Sequence, residues 1–372
     1  ALAKGGDVGA LERLLASDPS AVVQSQAFRT VEPRAGADAG SGRQPVKTAF
    51  HPGDEIVAQV ADPLHHLAAI DPRGRNLDPE DLGATQVMGG MGSLGQSLAG
   101  AAEKCGATLK LGGRVSAITK TDDRVTGITL DSGEAISAKI VISSADPTTT
   151  FRDLLGYDQM ETGMAKRVEH YRSRSGTAKL HLALSALPAF KGLEETQLSQ
   201  RLVITPSMDG MEQALNPMKY RELSALHTFD ISIPTIEDPA LAPAGQHVLS
   251  AIVHYVPYAP GIGWETGKPQ LLSQLISELE TYAPGIGELV MASELVVPSD
   301  LEASHGMTGG NWNHGELSID QALMMRPFPG STQYATAVEG LYLCGAGSHP
   351  GGGLQGLPGR NAAKEILKRG AL

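Results

Sequence analysis

Only two cysteines, Cys105 and Cys344, occur in the 372 residues. Their spacing fits neither a metal-ligand set nor a C-x-x-C pair, so the reading is two buried thiols in a reducing compartment. No apolar run reaches the roughly 20 residues that cross a bilayer, and the first residues show neither a basic stretch nor an apolar stretch of the export type. Basic side chains are outnumbered: 30 Lys and Arg against 41 Asp and Glu leave a net charge of -11, which argues against a general nucleic-acid binder. Between about residues 148 and 307 no Ser-His-Asp order, paired-carboxylate motif or metal spacing stands out. His51, His65 and His66 lie among prolines and acids without periodicity and read as surface residues. What remains is a chain with 41% hydrophobic residues, 44 glycines and 23 prolines, long enough for two domains of a loop-rich α/β protein.

The most informative stretch is GLYLCGAGSHPGGGLQGLPGRNAAKEILKR, beginning at Gly340. Leu341 to Cys344 is a short apolar run that stops at glycine, as a buried strand does. A glycine-rich bend follows, and Pro358 then opens a run of strong helix formers ending near Leu367. A strand, a glycine loop and a helix start in that order bring backbone N–H groups and the positive helix end close to an anion or an electron-rich ring edge. The same order also makes an ordinary tight turn.

Upstream, Gly90 to Gly95 satisfies G-x-G-x-x-G and leads into a helix expected over 93–104, but Thr85 to Met88 is a poor strand and no acidic strand end follows. A tight loop before a helix is the better reading. The runs Ala107–Leu111, Arg114–Ile118, Val125–Leu130 and Ala138–Ile142 predict short strands of a β-meander, with turns at Asp122-Asp123 and Asp131-Ser132-Gly133. A helix is expected over residues 1–18 and a flexible loop over 33–45. Residues 179–184 and 246–255 predict strands, and 269–282 an amphipathic helix with Leu271, Leu275 and Leu279 on one side. The polar, glycine-rich run from Gly309 to Glu316 suits the neighbourhood of a bound ring or an ordinary loop.

With Arg326-Pro327-Phe328-Pro329-Gly330 upstream, the C-terminal stretch resembles the flavin-binding segment of the phytoene desaturase-like FAD oxidoreductases. The "GGMG" turn, "GGRVSAI", "ISSADP" and the "GG-x-x-x-HG" run resemble the same family. The resemblance implies an α/β fold with α+β elements, in which a partial FAD-binding domain carries an inserted substrate domain with a mixed or antiparallel sheet. The expected divisions are a poorly assigned region at 1–82, a cofactor segment at 83–147, a substrate domain at 148–325 and a C-terminal cofactor segment at 326–372. It further implies FAD as cofactor, with Val115 against the adenine, Gly345 and Ala346 near the diphosphate and ribityl chain, and Gly356, Leu357 and Pro358 facing the pyrimidine edge of the ring. His314 and His349 are the candidate proton-handling residues by location. The implied reaction is hydride transfer from an apolar or polyene-like substrate, in a bacterial cytoplasm or in a eukaryotic mitochondrial matrix or plastid, with peripheral membrane contact admitted. The strand, fingerprint and acidic strand end that open complete members do not occur in this sequence. Tight FAD binding by these residues alone is therefore not expected. The reading is therefore the C-terminal part of an FAD-dependent oxidoreductase, with a missing N-terminal half as a partner; the alternative is a non-catalytic, flavoprotein-derived scaffold or subunit that binds a protein partner.

Overall fold

The computed structural model describes residues 56–58, 89–352 and 356–370. The expected helix at 1–18, the loop at 33–45, the segment 85–88 and His51, His65 and His66 lie outside the described residues. In chain order the strands are β1 (Ile56–Ala58), β2 (Val115–Thr121), β3 (Arg124–Leu130), β4 (Ala135–Ser137), β5 (Val141–Ser143), β6 (Thr177–Leu184), β7 (Leu202–Ile204), β8 (Phe229–Ser232), β9 (His247–His254), β10 (Val290–Val296) and β11 (Leu341–Leu343). The longer helices are α1 (Met91–Lys104), α2 (Thr162–Glu169), α3 (Met208–Lys219), α4 (Trp264–Tyr282), α5 (Pro298–His305) and α6 (Leu357–Lys368).

One compact unit gathers Leu94–Ser175 and residues 299–370. Its meander is antiparallel in the order β2-β3-β4, turning at Asp122 with a φ of 52°. Next to it β5 pairs in parallel with β11, Val141 opposite Leu341 and Ser143 opposite Leu343. All three residues of β11 are buried, as a strand closed on both faces requires. Ile118, Ile128, Phe151, Val168, Leu341 and Leu343 share one core, and the Phe151 and Phe328 rings sit 5.7 Å apart. The expected strand at Ala107–Leu111 is absent. Leu109 and Leu111 are exposed, Gly112 turns the chain at a φ of 69°, and no described strand pairs with the segment. At the other end of the meander, the strand expected at Ala138–Ile142 is the shorter β5, and β4 just before it is a strand the sequence reading did not expect.

The other unit holds Gly176–Pro298 and β1. Its six-stranded sheet has the order β1-β7-β8-β9-β6-β10, and every pairing is antiparallel. Alternation in β6 buries Ala178, Leu180, Leu182 and Leu184, and in β9 it buries Leu249, Ala251 and Val253. Helix α4 covers that face with Leu271, Leu275 and Leu279, all fully buried and spaced one turn apart. Each of those leucines contributes about 2 kcal/mol by leaving water. The helix starts at Trp264, ahead of the expected start at Pro269. Gly263, at a φ of 73°, sets the break, and Gly267 N–H donates to Gly263 O at 2.8 Å to begin the ladder. Pro269 removes only one donor there.

The chain enters this unit at Gly176 and leaves it at Pro298, inside the expected span 148–325. The physical reason lies in residues 149–175 and 299–325. Phe151, Met164 and Val168 are buried in the first unit's core, and Arg172 is bound to Glu316 and Gln321.

Candidate functional site

The site is built on the first unit, where two polypeptide crossings meet beyond β5 and β11. After β5, Asp146 ends the strand segment and caps the π-helical turn Thr149–Leu155. Its Oδ1 accepts from Thr149 N–H at 3.0 Å, and its Oδ2 accepts from the Thr149 hydroxyl at 2.7 Å and the Thr308 hydroxyl at 3.0 Å. Asp146 is therefore a buried carboxylate held by hydroxyls and a backbone donor instead of a cation. Thr308 stands at the start of the polar run singled out in the sequence, so the same carboxylate anchors that run.

Residues 309–321 are zipped to residues 171–175. Ser175 N–H donates to Gly309 O at 3.1 Å, Glu316 N–H to Arg172 O at 2.9 Å, and the Gln321 amide bonds both backbone groups of Arg172. Arg172 and Arg174 hold the Glu316 carboxylate at 3.1 and 3.0 Å, and Arg172 reaches Asp320 at 2.8 Å. Two glycines allow this approach: a Cβ on Gly309 would lie 2.0 Å from Ser173 O, and one on Gly315 would lie 2.0 Å from the Tyr171 hydroxyl. Tyr171 donates to His314 O at 2.7 Å and packs edge-on against Phe328. Burial pushes its phenol up to about 12.

After β11 the chain crosses close to the end of β5. Cys344 N–H donates to Ser143 O at 2.9 Å. A Cβ on Gly345 would sit 2.3 Å from Ser144 O, and one on Gly347 would sit 2.6 Å from Pro147 Cδ. The protein's own packing therefore requires these two glycines, whatever else the loop does. Helix α6 begins after Gly356, which takes a left-handed φ of 62°. Its first ladder bond runs from Arg360 N–H to Gly356 O at 3.0 Å. The N–H groups of Leu357 and Gly359 are in the first turn, where no intrahelical acceptor exists, and Pro358 has no N–H to satisfy.

His314 lies between these crossings. Its φ is 57°, its Nδ1 is buried without a partner, and that atom would be 3.3 Å from a Cβ on Gly345. Burial, more than any charge, pushes the imidazole below its ordinary value; Asp146 opposes the shift and Arg326 adds to it. Ser348 and Thr148, on the same two crossings, also keep buried hydroxyls without partners.

Of the residues expected from sequence, Gly345 lies beside His314 at the loop after β11, and the Ala346 carbonyl next to it accepts from Arg326 Nε at 2.9 Å. Gly356, Leu357 and Pro358 form the start of α6. Val115 opens β2 opposite Leu130 and packs against the core that contains β11. His349 is held elsewhere: it is half-buried, and its Nδ1 lies 2.9 Å from Leu323 O, the geometry of a loop hydrogen bond. Sequence reasoning missed Arg326, which ranks first by size among the fully buried side chains of the described residues. It also treated Asp146 only as a boundary. An arginine before proline gives no sign that it will be buried.

Residues 65–367 match the family model described as flavin containing amine oxidoreductase. The chain belongs to that family. Among curated proteins it is 34% identical, over 82% of its length, to pyridine nucleotide-disulfide oxidoreductase domain-containing protein 2 of Mus musculus, and covers 54% of that protein. It is 25% identical to a phytoene desaturase (lycopene-forming) of Paracoccus sp. over 74% of this chain and 52% of the relative. The chain thus spans about half the length of the curated relatives it matches. An oxidoreductase of Methanosarcina mazei is a solved structure it resembles at a TM-score of 0.49 and 16% identity, covering 76% of this chain and 55% of that one.

FAD is the cofactor of this flavin family. The residues present fit such a group in one specific respect. Three buried polar atoms, His314 Nδ1, Ser348 Oγ and Thr148 Oγ1, have no partner in the protein and lie on the segments that meet at the glycine loop. Orphaned groups of this kind are costly unless a ligand or water completes them. Among the described residues no group of three or more His, Cys, Asp or Glu could hold a metal ion. No helix among them is long and apolar enough to cross a membrane.

Proposed function

We propose that this chain is the C-terminal part of an FAD-dependent oxidoreductase that takes hydride from an apolar, polyene-like substrate, with the six-stranded unit as the substrate-binding one. The observation that carries the reading is the glycine loop after β11, with the unpartnered Nδ1 of His314 and hydroxyl of Ser348 beside it. FAD supplies the two-electron acceptor. The chain's own residues do the rest: the first turn of α6 offers backbone donors and a positive helix end to the electron-rich edge of a ring. Gly345 lets the loop lie against Ser144, and His314, kept neutral by burial, offers a lone pair or a proton at Nδ1 according to its tautomer. The choice of an apolar substrate is supported by the names of similar proteins, among them phytoene desaturases and a limonene dehydrogenase chain of Castellaniella defragrans.

The test is anaerobic reduction of the native protein. It should carry FAD, and its flavin bands should bleach when a polyene or prenyl hydrocarbon is added in detergent micelles. Bleaching by primary amines and not by hydrocarbons would overturn the substrate assignment. Native protein that stays colourless after soaking in FAD would overturn the enzyme reading and leave a scaffold that binds a protein partner.

A further inference from the structure

Arg326 is fully buried, and the acceptors found for its guanidinium are all backbone carbonyls. Nε donates to Ala346 O at 2.9 Å, one terminal nitrogen to Gln321 O at 2.9 Å and Glu316 O at 3.4 Å, and the other to Asn313 O. No carboxylate among the described residues pairs with it. Glu316 is taken by Arg172 and Arg174, and Asp146 by Thr149 and Thr308. Burying an ion without a counter-ion is among the costliest arrangements a fold can hold, and carbonyl dipoles offset only part of that cost. A planar fork with five donors is the side chain that can bridge carbonyls of two loops at once. Here it joins the run 313–321 to the glycine loop, and a Cβ on Gly351 would be 3.7 Å from its Nε. The result is a fixed positive charge directly beneath the glycine loop.

We propose that Arg326 is a positioning residue of the flavin site, fixing the Ala346 carbonyl and supplying an unbalanced positive charge that favours the reduced, more negative state of the cofactor. The inference rests on the reading of the glycine loop as a flavin loop. It adds no redox partner: the substrate hydride still supplies both electrons, and the guanidinium keeps all its protons. A unit charge acting over about 10 Å at an effective dielectric near 20 shifts such an equilibrium by about tenfold or somewhat more.

The experiment compares native holoenzyme with R326K and R326Q at pH 6, following flavin reduction against a reference dye and thermal unfolding in parallel. R326Q should lower the two-electron equilibrium constant for reduction by about ten- to a hundred-fold, equivalent to about 30 to 60 mV. R326K keeps the charge but not the fork, so its constant should stay within about threefold of wild type while its melting temperature falls. If R326Q retains FAD and its equilibrium constant is unchanged, Arg326 is only a cross-link and the proposal is overturned. Should R326Q fail to fold, R326K decides alone: a constant lowered tenfold with the charge still present overturns it equally. Wild type that carries no FAD defeats the flavin-loop reading itself, an outcome separate from either.

Discussion

The close crossing of Gly345 over Ser144 can be tested with one methyl group. In Gly345→Ala the new Cβ would fall 2.3 Å from Ser144 O and 2.9 Å from its carbonyl carbon, with His314 Nδ1 at 3.3 Å on another side. Carbon and oxygen need more than 3 Å, so either the loop or the end of β5 must move by close to an ångström. Gly345 is not among the residues with positive φ, so backbone strain contributes nothing and the cost is one of space. Overpacking of this kind costs about 1 to 3 kcal/mol. The adjacent ladder bond from Cys344 N–H to Ser143 O adds about 1 kcal/mol if it breaks. At about 2 to 4 °C per kcal/mol for a unit of 150–250 residues, the melting temperature should drop by about 2 to 16 °C. Gly100→Ala is the control. It sits inside α1 with nothing within 4 Å of its Cβ, and should be neutral or stabilise by about 0.5 to 1 kcal/mol. Calorimetry or circular dichroism on both variants gives the answer. Equal melting of Gly345→Ala and wild type would refute the close approach, and with it the geometry of the loop.

Three further outcomes follow from the same structure. Gly356 takes a left-handed φ, so Gly356→Val should both strain the helix start and disturb FAD, whereas Gly356→Asn tolerates that backbone and should melt within about 1 kcal/mol of wild type while losing FAD affinity about tenfold in a titration; unchanged affinity in the asparagine variant would make the glycine a turn and nothing more. The imidazoles of His314, His181 and His254 are all pushed below their ordinary value, chiefly by burial. Each unfolded chain then binds more protons than the folded one, so their contribution is complete above the unfolded value near 6.5 and is lost as pH falls below it. Chemical denaturation from pH 8 to 5 should show this loss, and His314→Asn should make it shallower; an unaltered slope would mean that His314 is not held neutral. Leu275→Ala, under the six-stranded sheet, should cost about 2 to 5 kcal/mol by cavity formation without changing the flavin spectrum of the holoprotein; a variant that loses flavin while its fold is intact would contradict the separation of the two roles.

Local pattern was enough for the most strongly periodic elements. The alternation of β6 and β9, the leucines one turn apart in α4, and the apolar run at Leu341 followed by glycines and Pro358 each carry their own periodicity, which depends only on backbone geometry. The wording of the C-terminal stretch pointed to a flavin family, and the family match agrees with it. What the periodicity could not supply was partnership between distant segments. Ala107–Leu111 has strand-like residues but no strand to pair with, and residues 149–175 belong to the first unit because Phe151 and Val168 find their core there. The site shows the same division. Glycines at 345 and 347 are visible as letters, but that Ser144 and Pro147 occupy the space beside them is a fact of two crossings about 200 residues apart in sequence. Arg326 finds its carbonyls within 20 residues, yet the folding of two loops around it is just as invisible in the letters. Pairing, burial and the fate of a lone charge are long-range properties, and only the tertiary structure decided them.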